Sequence, residues 1–167
     1  MKQETLETVK KVHGIFKNRG LTLSAAESCT GGLISHYLTA PAGASAFFSA
    51  GVICYSVDAK KTILGIPEET VSGYGVVSEE TAREMAERVR MITGTDYSVS
   101  TTGNLGPDVL EGKERGLVYI AAVGEGKTIA QELRLHGDRD ANREEAALSA
   151  LRLLIELVEG EFSGCGF

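Results

Sequence analysis

The chain has 167 residues, of which 43% are hydrophobic and 24% are charged. This length suits a single compact core, and the balanced composition excludes a disordered chain. The net charge of −6 argues against a protein that works by neutralising nucleic-acid phosphates, so no nucleic-acid partner is expected. We expect one domain over residues 1–160 and a flexible tail over 161–167, where glycine is frequent.

The cysteines and the N-terminus indicate the cellular compartment. Cys29, Cys54 and Cys165 are odd in number and lack the spacing of metal ligands. Together with an N-terminus that lacks the apolar core of a signal peptide, they predict reduced thiols in the cytoplasm. No stretch approaches the ~20 apolar residues that span a bilayer, so no membrane partner is expected.

The first half of the chain alternates helical and extended patterns. Apolar residues recur every three or four positions from Glu4 to Asn18, which predicts an amphipathic helix that ends at Gly20. A strand, a helix, a second strand and a second helix are then predicted over 21–26, 33–38, 51–55 and 58–64.

The second half contains a long helix followed by three strands. Ser78 as N-cap and an apolar stripe up to Ile92 predict a helix that ends at Gly94. Three strands and a final helix follow at 97–101, 116–123, 128–135 and 142–158, and the turn 124–126 suits a hairpin. The alternation predicts an α/β fold, a three-layer α/β/α sandwich around a mainly parallel sheet with one antiparallel strand.

Loops that follow strands are the expected places for a ligand in such a sheet. Ser28 stands at the mouth of a helix, where it is either a nucleophile or a helix cap. Gly31 and Gly32 let a ligand come close to the backbone there. A nucleophilic serine needs a base, and the three histidines lie at positions typical of packing or surface residues: His13, His36 and His136.

Lysine is the other candidate base, provided that burial or neighbouring cations lower its pKa. Lys60 and Lys61 directly follow an apolar strand, although two lysines at the start of a helix are also typical of solvated charge. The glycine loop 102–107 is either a plain turn or a ligand loop. Arg139 and Arg143, four residues apart, can share one phosphate or can pair with neighbouring acidic residues.

Six motifs occur in a characteristic order along the chain. They are A-E-S-C-T-G-G at 26–32, Tyr55-Ser56 with Lys60, V-V-S-E-E at 76–80 with Met85-Ala86, Thr102-Gly103 with Gly106-Pro107, G-L-V-Y-I at 116–120, and Gly137-Asp138-Arg139. In this order and spacing they resemble the CinA C-terminal domain family, whose enzymes are nicotinamide mononucleotide deamidases. The resemblance extends from about Leu6 to Val158. It is to the stand-alone form, without the preceding nucleotide-pyrophosphatase domain.

The resemblance implies a five-stranded mixed sheet and hydrolysis of nicotinamide mononucleotide to nicotinate mononucleotide and ammonia, with no metal and no cofactor. It makes Ser28 the nucleophile and Lys60 the base, and it places Ser45, Tyr55 and Thr102 along the site. We expect Tyr55 and Ser45 to relay protons or to orient the base. Backbone N–H groups of residues 29–31 are expected to hold the tetrahedral intermediate. The implied substrate-binding residues are Gly31, Gly32, Thr102, Gly103 and Arg139 or Arg143. We also expect a homo-oligomer, a dimer or larger.

One loop departs from the family pattern. The family's usual T-G-I-A-G-P is followed by a G-G-T stretch, whereas this chain has Asn104-Leu105 and continues with D-V-L-E-G at 108–112. The ribose or phosphate edge of the pocket is therefore expected to differ. This leaves an alternative function, a catalytically impaired nucleotide-binding or regulatory module of the same fold.

Overall fold

A computed structural model of the chain describes the backbone of residues 1–163 and the side chains of residues 1–160. The described residues form six α-helices and five strands. The helices are α1 (Gln3–Arg19), α2 (Leu33–Thr39), α3 (Val57–Thr62), α4 (Glu68–Tyr74), α5 (Glu79–Thr93) and α6 (Arg139–Ser163). The strands are β1 (Leu23–Glu27), β2 (Phe48–Ile53), β3 (Tyr97–Gly103), β4 (Leu117–Gly124) and β5 (Lys127–Arg134).

The strands form one mixed sheet in the order β2-β1-β3-β4-β5. β1 pairs in parallel with both β2 and β3, whereas β4 runs antiparallel to β3 and to β5. β4 is therefore the strand of opposite direction, and it forms the predicted hairpin with β5. The predicted mixed five-stranded sheet is confirmed.

Helices cover both faces of this sheet. α1, α2 and α6 pack on one face, where Phe16, Ile34 and Leu151 belong to the largest apolar cluster. α5 covers the other face and brings Met85 and Val89 against the sheet. The three-layer α/β/α prediction is confirmed. Among the described helices, none is both long enough and apolar enough to cross a membrane.

Two elements between residues 48 and 74 differ from the prediction. β2 spans Phe48–Ile53 rather than 51–55, because it is an edge strand whose residues alternate between partial burial and exposure and so lack a continuous apolar run. α4 was not predicted. It buries no residue and contains β-branched Thr70 and Val71, although Pro67 and the acidic first turn are start signals.

The last helix is longer than predicted at both ends. It begins at Arg139 rather than Asn142, because the Asp138 carboxylate accepts a hydrogen bond from the Ala141 N–H (2.9 Å) and caps the helix earlier. It continues through Gly160 to Ser163, so the predicted tail 161–167 begins within α6. The remainder, 164–167 with Cys165, lies outside the described residues, and its flexibility stays a prediction.

The strand order makes the carboxyl ends of the strands the expected place for a ligand site. β1 is followed along the chain by β2, which lies on one side of it, and then by β3, which lies on the other side. In an α/β sheet such a change of direction opens a crevice at the carboxyl ends of the strands. Ser28 follows β1 at this edge and Cys54 follows β2. The loops after β1, β2 and β3 therefore meet there.

Candidate active site

Ser28 and Lys60 meet at this edge of the sheet. Lys60 Nζ lies 2.8 Å from Ser28 Oγ, and both residues are nearly inaccessible to solvent, with 2% and 7% of their surface exposed. Nζ also donates to the main-chain carbonyls of Cys54 (3.0 Å) and Tyr55 (3.3 Å). A neutral amine has two protons and one lone pair. As an ammonium, Lys60 donates to Ser28 Oγ and to both carbonyls. As a neutral amine, it gives its two protons to the carbonyls and leaves the lone pair for the Ser28 hydroxyl.

The surroundings of Lys60 favour this neutral form. Burial lowers the pKa of Lys60, and the smaller opposing influences of Cys29, Cys54 and Glu111 raise it. Within the described part of the chain, no carboxylate forms an ion pair with Lys60. An unpaired buried amine loses its proton more easily than a solvated one, which is the requirement for a lysine base.

Lys61 has the opposite environment. Its Nζ donates to Glu68 (2.8 Å) on α4, and this hydrogen bond raises the pKa of Lys61 above its ordinary value. Lys61 therefore stays charged and is directed away from Ser28. Of the two candidate bases, the structure brings only Lys60 to the serine.

Glu27 organises the turn that carries Ser28. Its carboxylate is fully buried and accepts hydrogen bonds from the Thr30 hydroxyl (2.7 Å), the Ile34 N–H (2.9 Å), and the N–H and hydroxyl of Ser35 (3.0 and 2.7 Å). Thr30 in turn bonds Thr101 on β3 (2.8 Å). Sequence reasoning gave Glu27 no role, because it ends β1, whereas α2 begins only at Leu33 after Gly32 as N-cap, so Glu27 is not at a capping position.

This arrangement changes which donors are free for an oxyanion. Glu27 occupies the N–H groups at the start of α2, and the Gly31 N–H donates to the Ser28 carbonyl (3.0 Å). Gly31 is thus not a free donor, contrary to expectation. Among the described residues, nothing accepts a hydrogen bond from the N–H groups of Cys29 and Thr30. These two remain as candidate oxyanion donors.

Gly31 and Gly32 both have positive φ angles, 61° and 99°. Gly31 is exposed with open space beside it, as expected of a residue that a ligand approaches. At Gly32 an added Cβ would meet the Ile53 side chain at 2.9 Å, so this glycine also allows β2 to pack closely.

Tyr55 contacts Lys60 through its main-chain carbonyl, whereas its phenol contacts Arg139. The residue is 60% exposed, and its hydroxyl accepts a hydrogen bond from Arg139 Nη2 (3.0 Å). Arg139 Nη1 donates to the Gly106 carbonyl. Tyr55, Gly106 and Arg139 thus form the rim of the site. Arg143 instead lies near Tyr37, whose pKa is raised by burial and by Glu144 in spite of the smaller opposing influence of the Arg143 charge.

Thr102 and Gly103 both have a role in the scaffold, and their contact with substrate stays a prediction. The Thr102 hydroxyl is buried and donates to the Val76 carbonyl (2.6 Å). A Cβ on Gly103 would meet Leu117 O and Val118 Cα at 2.6 Å each, so glycine is required for β3 to approach β4. Ser45 lies exposed in the short 3₁₀ turn Ala44–Ala46, and within the described chain its hydroxyl bonds neither Ser28 nor Lys60.

No group of three or more His, Cys, Asp or Glu side chains among the described residues is arranged to hold a metal ion. The two cysteines of the site, Cys29 and Cys54, are free and buried. The chemistry of the site is that of a hydroxyl, a lysine amine and main-chain amides.

The buried Cys29 thiol is expected to be inert. Burial raises its pKa to about 12, so almost no thiolate exists at neutral pH. We expect Cys29→Ala to keep most of the activity, and iodoacetamide to label Cys165 before Cys29. Peptide mass spectrometry over a labelling time course measures this. Early labelling of Cys29 with parallel loss of activity would contradict it.

Comparisons with known proteins agree with this fold. The model of the CinA C-terminal domain matches residues 5–158. A CinA-like protein from Kosmotoga olearia is 44% identical over 161 residues, which cover 93% of this chain and 39% of the relative. Two crystal structures superpose on nearly the whole chain. CihA, a competence/damage inducible protein from Agrobacterium tumefaciens, has a TM-score of 0.91 at 35% identity, covering 94% of this chain and 97% of its own.

The second structure is a competence-damaged protein (CinA) superfamily protein from Klebsiella pneumoniae 700603, with a TM-score of 0.90 at 32% identity, covering 93% of this chain and 98% of the other. The fold and the buried serine-lysine pair define a three-layer α/β/α protein with its site at the carboxyl edge of the sheet. The chain belongs to the CinA C-terminal domain family. It spans 36–39% of the length of the first curated relatives that it matches.

Proposed function

We propose that this chain hydrolyses the carboxamide of nicotinamide mononucleotide to nicotinate mononucleotide and ammonia. One observation carries the proposal: the 2.8 Å contact between Ser28 Oγ and the buried Nζ of Lys60. Hydroxyl-amine pairs of this kind activate serine for attack on amides, with lysine in the place of histidine. The substrate is the one that the family resemblance implies.

In the first step, neutral Lys60 removes the proton of Ser28, and Oγ attacks the carboxamide carbon. The C=O bond becomes a C–O⁻ single bond, and the negative oxygen is stabilised by the N–H groups of Cys29 and Thr30. The carbonyls of Cys54 and Tyr55 hold Nζ in position for this transfer. They also stabilise the ammonium that forms on Lys60.

In the second step, the Lys60 ammonium returns its proton to the amide nitrogen. The C–N bond breaks, ammonia leaves, and an ester with Ser28 remains. Water then attacks this ester with neutral Lys60 as base, which releases nicotinate mononucleotide and restores the serine. The pyridinium ring withdraws electrons from the carbonyl and so favours both attacks.

The rim residues suit the phosphate end of a mononucleotide. Arg139 uses one N–H group for Gly106 and one for Tyr55, and a guanidinium has five. Its remaining donors can bind phosphate at the exposed mouth of the site. Arg139 lies at the rim beside the loop that follows β3, so we assign the phosphate to it rather than to Arg143.

Ammonia release from nicotinamide mononucleotide, with chromatographic identification of nicotinate mononucleotide, tests the proposal. We expect one ammonia per nicotinate mononucleotide. The specific observation that favours the alternative function is the ordered 108–112 loop, which differs from the family pattern. Binding of the nucleotide by calorimetry without ammonia release would support that alternative and exclude the hydrolase.

A further inference from the structure

Three buried side chains beside the nucleophile form one hydrogen-bonded series that takes no part in the proposed proton transfers. Glu27, Thr30 and Thr101 have no solvent-exposed surface. The Thr30 hydroxyl donates to Glu27 Oε1 (2.7 Å) and lies 2.8 Å from the Thr101 hydroxyl. Because a hydroxyl has a single proton, and Thr30 gives its proton to Glu27, the Thr101 hydroxyl donates to Thr30. The Thr30 side chain is therefore held from two sides.

The same series ties the turn after β1 to the neighbouring strand β3. Glu27 is the register partner of Thr101 in the parallel ladder of β1 and β3. The Ser28 N–H then donates to the Thr101 carbonyl (3.1 Å). Thr101 thus holds Ser28 through its main chain and Thr30 through its side chain. The turn 28–30 is attached to β3 at both of its ends.

This turn contains the two candidate donors for the oxyanion. Among the described residues, nothing accepts a hydrogen bond from the N–H groups of Cys29 and Thr30. The Glu27 carboxylate takes up the N–H groups of Ile34 and Ser35 at the start of α2, so these two cannot serve instead. Stabilisation of the negative oxygen therefore depends on where the turn places its own amides. A displacement of such a donor by about 1 Å costs much of its effect.

We infer that Thr30 is a positioning residue of the proposed reaction, and that its hydroxyl holds the N–H groups of Cys29 and Thr30 where the oxyanion forms. This inference rests on the proposed function and adds the side chain that sets its oxyanion stabilisation. Donors placed in advance act on the charge that develops in the tetrahedral state and contribute little to binding of the planar carboxamide. Loss of the hydroxyl should therefore slow the covalent step and leave the affinity for the nucleotide unchanged.

Four variants separate this role from a general loss of packing. Thr30→Val removes the hydroxyl and keeps the branched shape, whereas Thr30→Ser keeps the hydroxyl. Thr101→Val removes the partner hydroxyl of the same contact. Thr95→Val is the matched control, because Thr95 is also buried and its hydroxyl also contacts two others, those of Ser24 (2.8 Å) and Thr93 (3.1 Å). Thr95 precedes β3, at the opposite end of the sheet from Ser28.

The first measurement uses diisopropyl fluorophosphate, which reports on the serine without any nucleotide. Ser28 Oγ attacks phosphorus, the P–F bond breaks, fluoride leaves, and Lys60 takes the hydroxyl proton. The phosphoryl oxygen then occupies the place of the oxyanion. Peptide mass spectrometry gives the rate constant for modification of Ser28, and the melting temperature of each variant checks its folding. The second measurement is the Kd of nicotinamide mononucleotide by calorimetry in the Ser28→Ala background, which prevents hydrolysis.

We expect Thr30→Val and Thr101→Val to slow modification of Ser28 about 10- to 100-fold, the scale of a displaced oxyanion donor. Thr30→Ser and Thr95→Val should stay within about 3-fold of the wild-type rate, since both leave the hydroxyl of residue 30 in place. Thr30→Val should change the Kd of the nucleotide by less than about 2-fold, because the donors act on the tetrahedral state.

A normal rate in Thr30→Val, equal slowing in Thr95→Val, or a Thr30→Ser variant as slow as Thr30→Val would overturn the inference. A loss of nucleotide affinity as large as the loss of rate would also overturn it. If Thr30→Val does not fold, the rate of Thr101→Val decides, and failure of both to fold would assign the hydroxyls a purely structural role. Failure of the proposed function is separate: Ser28 of the wild-type chain would react with the fluorophosphate while nicotinamide mononucleotide released no ammonia. A wild-type Ser28 that does not react would overturn both.

Discussion

Replacement of Ser28 by Ala is expected to lower the rate of ammonia release at least ~10³-fold, the scale of losing the covalent route in serine hydrolases. The loss should appear in kcat, because the hydroxyl forms the bond that is made in the transition state. The fold should survive, since Lys60 is the only hydrogen-bond partner of the Ser28 side chain among the described residues and the Ser28 N–H keeps its bond to Thr101.

Single-turnover measurement of ammonia, with the melting temperature as a check on folding, tests this expectation. Cys29→Ala is the neighbouring control, because Cys29 adjoins the nucleophile but is buried with a raised pKa. A Ser28→Ala variant that releases ammonia at a near-normal rate, beside an inactive Cys29→Ala variant, would refute the serine-lysine mechanism.

Replacement of Lys60 by Arg is expected to lower turnover about 10²- to 10⁴-fold, the range that general acid-base catalysis contributes. A guanidinium stays protonated and cannot take the proton of Ser28. Because a larger buried cation can also disturb packing, Lys60→Met serves as a second variant with similar length and no charge. Both variants should lose activity to a similar extent.

Lys61→Arg is the matched control for the base. The Lys61 ammonium is paired with Glu68 on the outer side of α3, and an arginine can keep that pair. Its turnover should stay close to that of the wild type. Equal losses from Lys60→Arg and Lys61→Arg would mean that the base is wrongly assigned or that both lysines only bind phosphate.

The layer architecture could be predicted from the sequence because helix caps and apolar periodicity are local signals. Ser78 accepts a hydrogen bond from Thr81 N–H (3.1 Å) as the predicted cap of α5. β3 was predicted despite its serines, and the structure shows why they are tolerated. Ser98 and Ser100 donate to the carbonyls of Ala86 and Ala82 on α5, so neither of these two buried hydroxyls is left unpaired.

The candidate site was harder to predict from the sequence, because the residues that meet there are far apart along the chain. The local sequence did not decide whether Ser28 is a nucleophile or a helix cap, and it did not distinguish Lys60 from Lys61 as the base. The family resemblance was needed to choose in both cases. The Ser28-Lys60 contact depends on the parallel pairing of β1 with β2, which residue patterns do not encode. The hydrogen bonds of the Glu111 carboxylate likewise join it to amides 34 and 35 residues away.

Some predictions remain to be tested by experiment. The cytoplasmic location and the homo-oligomeric state are among them. Proton relay through Ser45 and Tyr55 is another. The Tyr55 phenol bonds Arg139, and its main-chain carbonyl is what holds Lys60.

The pH dependence of kcat/KM for ammonia release tests the central claim, activation of Ser28 by neutral Lys60, most directly. Burial lowers the folded-state pKa of Lys60 below its ordinary value of 10.5. The neutral base is therefore populated as pH rises through that lowered pKa, and kcat/KM should increase and then level off with a midpoint below 10.5. Lys61→Arg should keep this midpoint. An activity that falls as pH rises through the same range, or a rising limb that persists in Lys60→Met, would contradict the account.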